Sequence, residues 1–134
     1  PMVHGGLLGD VRKPDHVAAM ARAGIERIEL AAINLYAFEA TVTGDHTFEE
    51  AIENIDIGGP AMVRSAAKNH ANVAVVVDPG DYEAVLAGLR EGLTEADRRR
   101  LAAKAFRHTA YYDSVVARHL TEEPYPETFT VGYR

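Results

Sequence analysis

The chain has 134 residues, 47% of them hydrophobic and 25% charged, with no cysteine and a net charge of −6. That is one domain's worth of ordinary globular composition, long enough to bury a single core. The acidic balance argues against a protein that wraps nucleic acid, and the missing thiols exclude disulfide and thiolate chemistry. No apolar run approaches the roughly 20 residues of a membrane helix, and no signal peptide is evident, so a cytoplasmic protein is expected. The first residue is Pro1 rather than an initiator Met, which suggests a piece processed or excised from something longer.

Pro14–Ala23 predicts a short helix, with Val17, Met20 and Ala21 inward and Gly24 as its stop. Ile25–Leu35 is rich in β-formers, and Ile28, Leu30, Ile33 and Leu35 predict a buried strand. After a polar loop around Thr43–His46, Thr47 opens a helix as N-cap and Glu50 completes a capping box. Phe48, Ile52 and Ile55 are its expected apolar stripe. Gly58-Gly59-Pro60 breaks this helix and starts another over Ala61–His70. Val73–Val77 reads as a central parallel strand covered on both faces. Asp78-Pro79 caps the next helix, whose Tyr82, Val85, Leu86 and Leu89 share a face. Thr94–Leu120 is the longest helix, striped by Leu101, Ala105, His108, Tyr112, Val115 and His119. Phe129–Tyr133 alternates like an edge strand. Strands alternating with helices predict an α/β sandwich with a mostly parallel sheet. No G-x-G-x-x-G follows a strand, which disfavours a Rossmann domain.

Several residues carry chemistry on their own terms. Asp56 precedes a glycine pair at a helix start, where an Asp serves either as a cap or as an acceptor for a polar ligand. Gly58 and Gly59 allow close approach of a ring or simply make the turn. Lys68, near a helix C-terminus, is by itself a solvated residue that complements the dipole. Asn34 and Tyr36 end the first strand, at the edge where ligands gather in open α/β sheets; the alternative is a turn Asn and a packing Tyr. His4 lies in a His-Gly-Gly stretch that reads as a turn able to approach a nucleotide or as a plain loop. His108 and His119 share a helix face but lie roughly 16 Å apart by helical rise, too far for one metal. Arg98-Arg99-Arg100 reads as a solvated face, and His16 and His46 show no partners in the sequence. Nothing points to a metal or an organic cofactor.

The stretch TFEEAIENIDIGGPAMVRSAAKNHANVAVVVDP at 47–79 closely resembles the cyclohydrolase domain of a bifunctional purine-biosynthesis family, AICAR transformylase/IMP cyclohydrolase. His4–Leu8 (HGGLL), Asn34–Phe38 (NLYAF) and Lys104–Asp113 (KAFRHTAYYD) extend the resemblance in family order. It implies a methylglyoxal-synthase-like three-layer fold, truncated at its N-terminus, with residues 1–123 a partial cyclohydrolase domain and 124–134 the start of a connection to a transformylase domain. The implied reaction is closure of 5-formamidoimidazole-4-carboxamide ribonucleotide to IMP with loss of water, without cofactor or metal, in a homodimer. By the same resemblance Lys68 of Lys-Asn-His is the proton shuttle, and Asp56, Tyr36 and Asn34 are the other catalytic residues. Ile33, Asn34, Asp56, Ile57 and Gly58 would contact the substrate.

Two departures qualify this. The family writes Asn-Leu-Tyr-Pro-Phe where this chain has Ala37, which frees the backbone behind Tyr36. In complete members a segment Arg-Val-Lys-Thr-Leu-His comes directly before the position of Pro1 and, with still earlier loops, grips the 5′-phosphate. The isolated chain is therefore expected to be inactive. A non-catalytic α/β fragment or dimerisation module of the same protein is the alternative.

Overall fold

The computed structural model describes residues 1–121; the expected strand at Phe129–Tyr133 and the segment 124–134 lie outside the described residues. In chain order the elements are α1 (Met2–Leu8), α2 (Pro14–Ala23), β1 (Leu30–Ala32), α3 (Phe38–Thr43), α4 (Phe48–Glu53) and α5 (Gly58–Lys68). Then come β2 (Ala74–Val76), a 3-10 turn (Pro79–Asp81), α6 (Tyr82–Glu91) and α7 (Glu95–Leu120).

β1 and β2 pair in parallel, with Leu30 opposite Ala74, Ala31 opposite Val75 and Ala32 opposite Val76. Val73, Val75 and Val77 join Ala31 beneath α5 and α7, against Val63, Ala66, Ala67, Ala102 and Ala105. Ala74 and Val76 face the opposite way, onto Val85 of α6 and Leu101. Helices thus lie on both faces of a parallel pair, which is why β2 reads as an unbroken apolar run. The chain is α/β, as its alternating pattern predicts.

Local signals set many boundaries. Pro14 opens α2, and Gly24 closes it in the left-handed region at φ 63°. Thr47 and Glu50 form the expected capping box, and Thr94 with Asp97 forms a second at the start of α7.

Other expectations fail for identifiable reasons. His4-Gly5-Gly6 is part of helix α1 rather than a turn. The glycines are there for contact: a Cβ on Gly6 would stand 2.6 Å from the Glu26 carbonyl oxygen. Helical glycine costs about 1 kcal/mol against alanine, which this packing offsets. The predicted strand Ile25–Leu35 shrinks to three residues because Ile25 N–H donates to Met20 O and Ile28 N–H to Gly6 O. Those donors are lost to the ladder. Helix α5 begins at Gly58, so both glycines sit within its first turn, and it stops at Lys68 with Asn69 as C-cap. Val17, Leu30, Phe48, Ile52, Leu86 and Leu89 remain exposed, and in α4 it is Ala51 that is buried.

Asn69 is buried, and its amide donates to Leu7 O at 2.8 Å and Gly9 O at 3.0 Å. Asn72 donates to Asn69 Oδ1 and to Asp10 Oδ1. Asp10 also accepts from the Arg12 guanidinium at 2.8 and 2.9 Å. Arg12 first, then Asn72, holds the Asp10 carboxyl well below the usual carboxylate range. Two histidines without partners in the sequence gain them: His16 Nδ1 accepts the Asp10 N–H, and His46 packs on His119 beside Phe48 and Phe38. Arg98 is half-buried and donates to Leu93 O, so the arginine run is not uniformly solvated.

Candidate active site

Because β1 and β2 are parallel, their carboxyl ends open on one side, the crevice where α/β sheets bind ligands. Ile33 N–H donates to Val76 O at 2.9 Å and carries the pairing one residue past β1. The chain then leaves the sheet as Asn34-Leu35-Tyr36. At Ala37 it makes an inverse γ-turn, with φ −79°, ψ 57° and Phe38 N–H donating to Tyr36 O at 2.9 Å. That φ lies within proline's range. The backbone that the missing proline would set is therefore adopted by alanine.

Asp56 closes the site from the other side. Its Oδ1 accepts from Gly59 N–H at 2.7 Å, the i to i+3 spacing of a helix cap. Its Oδ2 accepts from Tyr36 N–H at 3.1 Å. One carboxylate therefore ties the loop after β1 to the first turn of α5. A Cβ on Gly59 would collide with Asp56 Oδ2 and stand 2.8 Å from Leu35, whereas a Cβ on Gly58 meets nothing within 4 Å. The second glycine is required by packing. The first leaves an open backbone surface.

The structure thus brings Asn34, Tyr36, Asp56, Ile57 and Gly58 to one rim, with Ile33 partly buried behind them. Tyr36 is 62% and Ile57 77% exposed, so both are free to meet a ligand. Lys68 is not brought there. It is exposed on the last residue of α5, about 15 Å along the axis from Gly58 by helical rise. Its neighbour Asn69 serves the α1 anchor.

A cavity of about 250 Å³ adjoins this rim, lined by Asn34, Tyr36, Glu39, His108, Tyr111 and Tyr112 among others. The sequence places His108, Tyr111 and Tyr112 in the family-like segment Lys104–Asp113, with His108 and Tyr112 also on the packing stripe, but assigns none of them to the site, and it does not single out Glu39. Tyr111 donates to Glu39 at 2.8 Å, which pushes its phenol pKa up. Tyr112 is buried, which raises its pKa chiefly by desolvation, and its hydroxyl accepts the Asp56 N–H at 2.7 Å. The stripe periodicity could reveal that Tyr112 points inward. It could not reveal a partner 56 residues away in sequence. Beside this cavity Lys104 bridges Asp78 and Asp81 at 2.7 and 2.6 Å, and these bonds raise the lysine pKa and lower that of Asp78. Among the described residues no cluster of three or more His, Asp or Glu side chains could hold a metal ion.

Residues 66–134 match the model of the AICARFT/IMPCHase bienzyme family. The bifunctional purine biosynthesis protein PurH of Lysinibacillus sphaericus (strain C3-41) is 54% identical over 136 residues, and that of Bacillus cereus (strain AH187) is 53% identical over 139. Each alignment covers 99% of this chain and 27% of the relative, so the chain spans about a quarter of the relatives' length. The crystal structure of ForH superposes with a TM-score of 0.77 at 37% identity, over 87% of this chain and 61% of that one. With more than half its length matched by the family model and an α/β fold shared with a solved relative, this chain belongs to the AICARFT/IMPCHase bienzyme family.

Proposed function

We propose that the chain carries part of the cyclohydrolase half of this purine-biosynthesis family, in a methylglyoxal-synthase-like three-layer domain. The observation that carries the proposal is the Asp56 carboxylate, which holds Tyr36 and the start of α5 together at the carboxyl end of the parallel strands. The reaction is closure of 5-formamidoimidazole-4-carboxamide ribonucleotide to IMP. The carboxamide nitrogen attacks the formyl carbon of the same molecule, a C–N bond forms, and the formyl oxygen takes a proton. The carboxamide nitrogen gives up one proton on attack, and the formamido nitrogen gives up its own as the hydroxyl leaves as water and the ring C=N forms to that nitrogen. Both reactants are on one molecule, so freezing the reactive rotamer is the main task.

The rim suits that task. Asn34 offers an amide donor to the developing oxyanion, and the Tyr36 hydroxyl is exposed beside it. Each Asp56 oxygen makes a single hydrogen bond to a backbone N–H, which leaves acceptor capacity for the carboxamide N–H. The exposed Ile57-Gly58 backbone gives a flat surface for the heterocycle. Lys68 supplies the proton transfer from a neighbouring position, reached by its long side chain or across a subunit contact. Segments of the family-length protein outside these residues grip the phosphate, and the working unit is a cytoplasmic homodimer with IMP as its nucleotide partner. No nucleic acid or membrane partner belongs to this reading; among the described residues no helix is long and apolar enough to cross a membrane.

The separation of Lys68 from Asp56 favours a second reading, a non-catalytic fragment or dimerisation module. Lys68→Met in the family-length protein decides between them. Ring closure, followed by absorbance as the purine forms, should fall by about 10²–10⁴-fold while IMP binding persists. Activity within a few-fold of the parent would dismiss Lys68 as the shuttle.

A further inference from the structure

Asp56 is fixed at three points. Two are its carboxylate oxygens, on Gly59 N–H and Tyr36 N–H, and both of those partners belong to the site itself. The third is its own backbone N–H, which donates to Tyr112 Oη on α7. Only this last bond refers the site to a different element. Tyr112 is 8% exposed, and its ring stands edge-on to Phe38 at 6.2 Å, in a cluster with Ala51, Ile55, Val115 and Val116. Its oxygen therefore has a defined position. The hydroxyl also lies 3.5 Å from the Asn54 carbonyl, at the C-cap of α4, so the phenol faces both ends of the turn between α4 and α5.

Apart from the packing of Ile55 in that cluster and the Asp56 Oδ2 bond to Tyr36 N–H, the remaining contacts of that turn are local. Asn54 and Ile55 N–H groups go back to α4, and the Asp56 side chain goes forward to α5. Without the phenol oxygen, the turn could rotate as a body about its two helix ends. The carboxylate and the attached Tyr36 backbone would move with it.

We propose that Tyr112 is a positioning residue for ring closure: by holding the Asp56 peptide N–H, its hydroxyl sets where the Asp56 carboxylate and Tyr36 meet the substrate. This rests on the cyclohydrolase reading above. Tyr112 transfers no proton in this role; it acts through Asp56.

The test uses the family-length protein with Tyr112→Phe, Asp56→Asn, the double variant, and Val116→Ala as a packing control in the same cluster. Tyr112→Phe keeps the ring and removes only the oxygen. Its kcat for ring closure should fall about 10- to 100-fold, the order of loss expected from a misplacement near 1 Å, with KM changed by less than about 3-fold. In the Asp56→Asn background the same change should cost less than about 2-fold, because the group it positions is already compromised. Val116→Ala should lower the melting temperature and leave kcat per native molecule unchanged. Should Tyr112→Phe not fold, 3-fluorotyrosine at position 112 weakens the acceptor and keeps the shape; it should lower kcat and hold KM. A Tyr112→Phe or fluorotyrosine protein with parental kcat overturns the proposal, as does an equal loss in both backgrounds. A parent protein with no ring closure instead overturns the cyclohydrolase reading beneath it.

Discussion

Gly58 and Gly59 are neighbours in the same helical turn, yet they answer to different constraints. Gly59 lies where a side chain would strike Asp56 and Leu35, while Gly58 has open space on its Cβ side and a negative φ. Gly59→Ala should therefore destabilise the fold by about 1–3 kcal/mol through overpacking. Gly58→Ala should stabilise it by about 0.5–1 kcal/mol, the ordinary gain of alanine over glycine in a helix. Chemical denaturation of the two variants checks the sign. If Gly58→Ala is also costly without ligand, the open surface is not what keeps glycine there. At this scale the sequence was a good guide to identity and a poor one to duty. Asp56 stood out beside its glycine pair, but whether it was a cap or a ligand acceptor was undecidable from the chain alone. The structure shows it capping α5 and tethering Tyr36 with the same group.

Elements whose signals are local were legible. The capping box at Thr47, the helix stop at Gly24 and the apolar run of β2 each rest on signals within a few residues. Elements set by distant contacts were not. Helix α1 contains a poor helix pair, Gly5-Gly6, and forms because those glycines let it approach residues 25–28 closely. The first strand is short because α1 and α2 take its N–H donors. The loop into α3 shows the same override in the other direction: Ala37 holds a proline-like φ although nothing in its own chemistry demands it. Ala37→Pro should then be accommodated and raise stability by about 0.4–1 kcal/mol, by restricting the unfolded chain. A fall in melting temperature would show that the Ala37 N–H or the Tyr36 conformation is needed in a form that proline forbids.

Across the whole molecule, the charged anchors predict an asymmetric pH profile. Asp10, Glu50, Asp78 and Asp97 all have lowered carboxyl pKa values, the first and third by bonds to Arg12 and Lys104, the other two by their capping boxes. A depressed carboxyl contributes its full stability above its ordinary value, 3.8 for Asp10, and loses it as pH falls toward the folded value. Lys104, raised above its ordinary 10.5, contributes below that value and loses the contribution as pH rises through the folded one. Urea midpoints should be level between roughly pH 5 and 9 for these groups and decline below about pH 4. The gap between the parent and Asp10→Asn should narrow on that acid limb; a gap independent of pH would assign the stabilisation to something other than the Asp10 charge.

The apolar face beside α6 makes a second prediction at this scale. Leu30, Ala32, Val76, Tyr82, Val85 and Leu86 line an open groove of about 260 Å³ on the outer face of the parallel pair. Exposed apolar surface of this kind favours association. Sedimentation of the chain at micromolar concentration should reveal species heavier than its 14.6 kDa, and Leu86→Lys should reduce them. A monomer in both cases would count against the proposed homodimer. The exposed Leu30, Leu86 and Leu89 also explain why apolar spacing overstated the core: periodicity marks a face to be covered and does not say by what.

The amide bolts of Asn69 and Asn72 have a consequence for the order of folding. They reach Leu7, Gly9 and Asp10 across separations of 60 to 62 residues. Such contacts close a long loop and form only once the sheet and α5 give Asn69 a fixed address. Helix α1 is therefore expected to dock after the sheet and α5 and to open before them, below the cost of full unfolding. Amide hydrogens in α1 should exchange sooner than those of β2. A protease cutting near Lys13 would release α1 and at the same stroke loosen the end of α5 that carries Lys68.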